Sequence, residues 1–244
     1  MYLAEDQNAF DTLFERFPHD RLFLRDALTR KAGNLFTPST DATETVLLRN
    51  SAREIHFLTG SVDAEFAASA APTLQSTSWG PCICLPSDEW ADALKRRKDC
   101  FYFDGPMITF SGLAFDSEDI YSDVIRLEAS HIAQVAPQGW RSATDFVDKS
   151  IAFGVVVDDS VVSYAISNFA LADEIEVAVW TAGDHQRKGL AYKSAATLMD
   201  FCARNDVRPQ WTSWSGNTAA CELARKLGFR HESPHEWAFI KPAK

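Results

Sequence analysis

Six consecutive residues carry the clearest chemical signal in this chain: Gln186, Arg187, Lys188, Gly189, Leu190 and Ala191. Two cations beside a glycine suit an anion, and they stand out in a chain whose formal charge is −10. Gly189 lets the backbone turn and approach a ligand without interference from a Cβ. The first amides of a helix starting here would lack intrahelical partners and point outward, and the positive end of the helix dipole would add to their attraction for phosphate. The flanking residues supply the elements that such a loop needs. Glu174-Ile175-Glu176-Val177-Ala178-Val179-Trp180 alternates charged or small residues with β-branched ones, the period of a half-buried strand, and sets Glu174 and Glu176 on one face. Leu190, Ala191, Ala195, Leu198, Met199 and Cys202 recur at helical spacing. Strand, anion-binding loop and helix are expected in that order.

A second constellation follows. A short strand is expected around Gln210 to Trp214, and then Asn217 as the N-cap of a helix with Ala220, Leu223, Ala224 and Leu227 on its apolar stripe. Gly228 stands where a positive φ ends a helix, and Arg225 and Lys226 suit the negative end of its dipole.

Gln186-x-x-Gly189-x-Ala191 resembles the Gln/Arg-x-x-Gly-x-Gly/Ala signature of the GNAT superfamily of N-acetyltransferases, and the Asn217 helix ending in Lys226-Leu227-Gly228-Phe229 resembles its closing motif. The motif-bearing part runs from about Ser122 to Lys244. The Thr181 to Gln186 spacing, the Pro209-x-Trp211 pair and the Leu223 to Phe229 ending look like a bacterial-type group with an extra N-terminal domain. The resemblance implies an α/β fold with a mixed central sheet and helices on both faces, preceded by a smaller α+β domain. It implies domains at 1–120 and 121–244, the first shaping the acceptor side, and acetyl-CoA as co-substrate. Ala178, Val179, Trp180 and Thr181 would face the pantetheine arm, and Gln186 to Ala191 would hold the pyrophosphate. Arg187, Lys188 and Lys193 would add positive charge, and Asn217 would reach the pantetheine besides capping its helix.

The implied reaction is transfer of an acetyl or other acyl group to an amine of a small molecule or peptide, by direct attack in a ternary complex. The attacking amine must lose a proton, the oxyanion must be stabilised and the thiolate needs a proton. Glu176, beside Ala178, is favoured over Glu174 as the carboxylate that draws the proton away. The tyrosine that many members carry as general acid corresponds to Ala224 here, which leaves Ser213, Ser215, Cys221, Tyr192 or water for that role. The alternative to an enzyme is a regulatory module that binds acetyl-CoA without turnover.

Composition narrows the other classes. A net charge of −10 and a pI near 5.0 make nucleic acid a poor partner and favour a cationic acceptor. Five cysteines, at 82, 84, 100, 202 and 221, give no disulfide framework and point to a reducing compartment. Neither Cys82-x-Cys84 nor the six histidines show metal-site spacing, so no metal is expected. The first residues, Met1 to Asp6, lack a basic region followed by an apolar stretch, and no apolar run approaches the roughly 20 residues of a bilayer span. A cytoplasmic protein with no membrane contact is expected, its oligomeric state left open.

Along the rest of the chain, two helices are expected in the first thirty or so residues, with Phe10, Leu13 and Phe14 on one face and Leu22, Leu24 and Leu28 on another. Strands are expected at Thr43 to Leu48, Glu54 to Leu58 and Pro81 to Leu85, with helices at Val62 to Ala68 and after a Ser87 cap. Ser111 to Asp119 reads as a linker. Then come a strand at Val124 to Leu127, a helical region from Glu128 to Phe146 broken at Pro137 and Gly139, and a hairpin turning at Asp158-Asp159-Ser160. A last strand near Trp237 to Lys241 is expected to complete the acetyltransferase-like sheet.

Overall fold

The fold is that of a computed structural model, described for residues 1–4, 22–25, 33–42, 44–50, 55–74, 82–84, 88–98, 100–101, 104–115, 121–135, 143–171 and 173–240. Phe10, Leu13, Phe14 and Leu28, the Ser87 cap, and Pro137 and Gly139 lie outside these residues. Leu22 and Leu24 are buried in helical backbone.

In chain order the strands are β1 (Tyr2–Leu3), β2 (Gly33–Thr37), β3 (Thr45–Asn50), β4 (Ile55–Gly60), β5 (Cys82–Cys84), β6 (Cys100–Phe101), β7 (Met107–Leu113), β8 (Ile125–Arg126), β9 (Ala152–Val157), β10 (Ser160–Ala170), β11 (Glu174–Thr181), β12 (Arg208–Trp214), β13 (Phe229–His235) and β14 (Trp237–Ile240). The helices are α1 (Ala64–Leu74), α2 (Asp88–Lys95), α3 (Ala129–Val135), α4 (Ala143–Lys149), α5 (Leu190–Arg204) and α6 (Thr218–Lys226). None of them is long and apolar enough to cross a membrane.

Two compact units divide the chain. The first is Met1–Met107 with His235–Lys244. Its sheet has the order β1-β2-β3-β4-β5-β14-β6, antiparallel throughout except for the parallel pair β4 and β5. Asp63 Oδ1 accepts the Phe66 amide at 2.8 Å, and this cap starts α1, whose Phe66, Ala67 and Ala70 bury against Leu47 and Leu58. One turn apart on α2, Trp90 and Leu94 enter the same core, where the Trp90 indole N–H donates to the Gly60 carbonyl at 2.9 Å.

The second unit is Ile108–Pro234, with sheet order β13-β7-β12-β11-β10-β9-β8. β8 to β11 are mutually antiparallel, and β11 runs parallel to β12, with α5 as the crossover. Alternation along β10 and β11 makes two cores. Ala165, Ile175 and Val177 meet Ala195, Leu198 and Met199 of α5 on one face, and Ile166 and Ala178 meet Ile132 of α3 and Phe146 of α4 on the other. Helices on both faces of a mixed sheet are the expected α/β architecture. Asp158 and Asp159, with φ of 48° and 60°, form the two-residue hairpin turn between β9 and β10.

Two local expectations are corrected. Ser111 to Leu113 is not linker but the end of β7, an interior strand whose Met107, Thr109 and Phe110 are buried. The strand near Trp237 does form, but it lies in the first unit's sheet, with Trp237, Ala238 and Phe239 opposite Cys84, Ile83 and Cys82. β13 instead takes the edge of the second sheet. Alternation predicts a strand, whereas its sheet is decided by partners more than a hundred residues away.

Candidate functional site

The site begins where β11 and β12 part. Their parallel ladder joins Glu174, Ile175 and Glu176 to Arg208, Pro209 and Gln210 and goes no further, although both strands continue. At the paired end, Arg208 Nη2 lies 2.8 Å from Glu174 Oε1 and 2.6 Å from Asp173 Oδ2. At the parting, Glu176 is 4 % exposed, and its Oε1 accepts the Thr212 amide at 2.6 Å. The two carboxylates share a strand face, yet one is engaged by an arginine and the other by the neighbouring backbone.

Beyond Glu176 the strand keeps its shape through β10. Trp180 stacks on Tyr164 with centroids 5.5 Å apart, and Thr181 Oγ1 lies 2.8 Å from Ser163 Oγ. Burial raises the pKa of the Tyr164 phenol above its usual value. A 3₁₀ turn, Gly183–His185, leads into the loop, and Gln186 Nε2 donates to the Thr181 carbonyl at 3.2 Å, tying the loop to the strand end. Arg187 and Gly189 both have positive φ, 60° and 79°, and Gly189 is the N-cap of α5. A Cβ added at Gly189 would meet nothing within 4 Å, so the space over the helix N-terminus is open.

Opposite the loop, Asn217 Oδ1 accepts the Ala220 amide at 3.4 Å and caps α6, the expected capping contact. Strand end, loop and cap enclose a cleft of about 580 Å³. Val179, Trp180, Thr181, Gln186, Arg187, Gly189, Leu190, Ala191 and Asn217 all line it. Ala178, Lys188, Glu174 and Glu176 do not: Ala178 packs on the α3 and α4 side, and Glu174 borders a separate hollow beside Arg208. Lys193 gives its charge to Asp123 at 2.7 Å.

Of the groups considered for proton return, Tyr192 lines the cleft. Cys221 is buried with its thiol 3.6 Å from the Trp214 carbonyl, and Ala224 is fully buried. The sequence reading missed Lys226 as a cleft residue: its Nζ sits 4.4 Å over the Tyr192 ring. Lys226 follows Leu223 by one helical turn, a spacing that carries it to the same wall. Among the described residues, no group of three His, Cys, Asp or Glu side chains is arranged to hold a metal.

The family described as GNAT acetyltransferase matches residues 113–237. No curated protein matches the chain. Among solved structures, a GCN5-related N-acetyltransferase-like protein from Streptococcus suis is 16 % identical, with a TM-score of 0.72 over 94 % of this chain and 96 % of its own. A GCN5-related N-acetyltransferase from Kribbella flavida is 14 % identical, with a TM-score of 0.57 over 91 % and 96 %. An acetyltransferase from the GNAT family of Colwellia psychrerythraea is 12 % identical, with a TM-score of 0.57 over 98 % of each chain. At such identities the likeness is one of fold.

Proposed function

The chain belongs to the GNAT acetyltransferase family, and on that premise we propose that it moves an acetyl group from acetyl-CoA to an amine of a small molecule or peptide, by direct attack in a ternary complex. One observation carries this reading: the cleft that joins the free end of β11, the Gln186–Ala191 loop and Asn217. The fit is physical. The open space at Gly189, over a helix N-terminus and beside Arg187, suits a pyrophosphate, and a strand edge released from its ladder suits the amide-bearing pantetheine arm.

Acetyl-CoA supplies an acyl group activated as a thioester. The loop amides and Arg187 hold its phosphates, and the edge from Ala178 to Thr181 aligns the arm. Positioning accounts for much of the rate in such a transfer. The amine attacks in its neutral form, and its proton passes through water to Glu176, whose carboxylate is oriented by the Thr212 amide. Tyr192, in the cleft wall, returns a proton to the thiolate. Glu174 is left out of this scheme because Arg208 engages it at the paired end. Acceptor choice is assigned to residues outside the cleft, the first unit supplying selectivity. Acetyl-CoA use and the buried free thiols Cys202 and Cys221 fit the cytoplasm.

The second reading, a module that binds acetyl-CoA without turnover, has one observation in its favour: Ala224 stands where a tyrosine acid is usual and is fully buried. Release of free thiol from acetyl-CoA across a panel of amines separates the two. Turnover lost in Glu176→Gln supports the enzyme, and wild-type release no faster than the blank, with coenzyme bound, supports the module. Coenzyme A at about 100 times its dissociation constant should stabilise the fold by about 2.7 kcal/mol. A melting temperature unmoved by coenzyme A, acetyl-CoA and longer acyl-CoAs would refute both.

A further inference from the structure

β11 and β12 begin as a regular parallel pair and end apart, and one buried carboxylate stands at the point of separation. Continued at the register that pairs Glu176 with Gln210, the ladder would oppose Ala178 to Thr212. The Thr212 amide would then donate to a main-chain carbonyl of β11, as in any parallel pair. It donates instead to Glu176 Oε1 at 2.6 Å, so a side-chain oxygen fills the place of a ladder acceptor. Glu176 is 4 % exposed and Thr212 is half-buried. Thr212 is also held from its other side, where its hydroxyl lies 3.1 Å from that of Thr109 on β7.

We propose that Glu176 is a positioning residue whose carboxylate wedges β11 from β12 and so keeps open the gap that receives the pantetheine arm. This rests on the coenzyme reading above and is distinct from proton transfer, since binding free coenzyme A moves no proton. A half-buried amide that loses its acceptor takes another, and the ladder acceptor on the main chain of β11 is the one that the strand register offers. Zipping the strands together would consume the edge that the arm pairs with. Glutamine keeps an acceptor oxygen at the same reach, whereas methionine fills the volume and offers none.

Calorimetric titration of free coenzyme A into the full chain tests this with Glu176→Gln and Glu176→Met. The glutamine variant should bind as the wild type does while its turnover falls, and the methionine variant should bind about tenfold or more weakly. Wild-type affinity in Glu176→Met would overturn the wedge, as would equal weakening in both variants. Should the methionine variant fail to fold, the amide proton of Thr212 in ligand-free protein still decides. Bonded to a carboxylate, it should resonate far downfield and move in Glu176→Gln, and an ordinary resonance unmoved by that substitution overturns the proposal. A wild type that binds no coenzyme A overturns the coenzyme reading instead, whatever the Thr212 resonance shows.

Discussion

Gly189→Ala and Gly228→Ala add the same methyl group to two residues of positive φ, 79° and 98°, and opposite outcomes are expected. The left-handed backbone alone costs each about 1–2 kcal/mol. At Gly228 a Cβ would lie 2.5 Å from the Ala114 carbonyl oxygen and 3.2 Å from its carbon. The Ala114 amide donates to the Gly228 carbonyl at 3.0 Å, so the two backbones cannot separate without breaking that bond. Overpacking adds about 1–3 kcal/mol, which brings Gly228→Ala to about 2–5 kcal/mol. At Gly189 nothing lies within 4 Å of a Cβ, so only the backbone penalty applies, a fall in melting temperature of about 2–8 °C per kcal/mol. The methyl group would instead occupy the space assigned to the pyrophosphate. Losing one charge-assisted hydrogen bond there, about 1.5–3 kcal/mol, weakens binding about 10- to 150-fold. Thermal melts and titration with coenzyme A read both quantities on the same samples. A folded Gly189→Ala protein that binds coenzyme A with wild-type affinity would refute the cradle, and one as unstable as Gly228→Ala would refute the steric distinction.

His56, 3 % exposed, has its pKa lowered to about 3 by burial, with Arg49 adding to the effect. The folded state therefore keeps it neutral while the unfolded chain protonates it below about 6.5, so stability should fall as pH drops from 6.5 towards 3, by up to about 1.4 kcal/mol per unit. His56→Gln should flatten that limb of a stability–pH curve, and an unchanged slope would refute the assignment. Burial pushes the Cys202 thiol up to about 12, so native protein at pH 8 should leave it unlabelled by a thiol reagent. Because the unfolded thiol ionises near 9.0, Cys202 should also draw stability down as pH rises from there towards 12; rapid native labelling would contradict both statements. Asn217→Ala should lower the urea midpoint by the equivalent of about 0.5–1 kcal/mol, the low end for an N-cap, given its 3.4 Å bond. A larger loss would mean that Asn217 supports more than its helix.

Features set by near neighbours in the chain were legible in the sequence. The loop, the Asn217 cap and the Asp158–Asp159 turn each follow from a handful of adjacent residues whose conformational preferences agree. The carboxylate pair was legible only as a shared face. Its division of labour depends on Arg208 and Thr212, which the chain brings back through α5 and β12, 36 residues on from Glu176 in the case of Thr212. The same limit hid the place of β14. Trp237-Ala238-Phe239 reads as a strand in any sheet, and its pairing with Cys82–Cys84 spans most of the chain. Lys193 and Lys226 were equally basic in sequence. Asp123 takes up the charge of one, and the Tyr192 ring holds the other over the cleft.

The position of β14 also sets the order in which the molecule can be made. The first unit lacks the strand that joins β5 to β6 until residues 237–240 are available. Chain order places β14 after every strand of Ile108–Pro234, so the β5-β14-β6 part of the first sheet can close only once all of that unit's strands have been made. A truncation just before Trp237 would strike the first unit rather than the second, leaving the cleft with its full set of lining residues and the first unit's sheet with a missing rung.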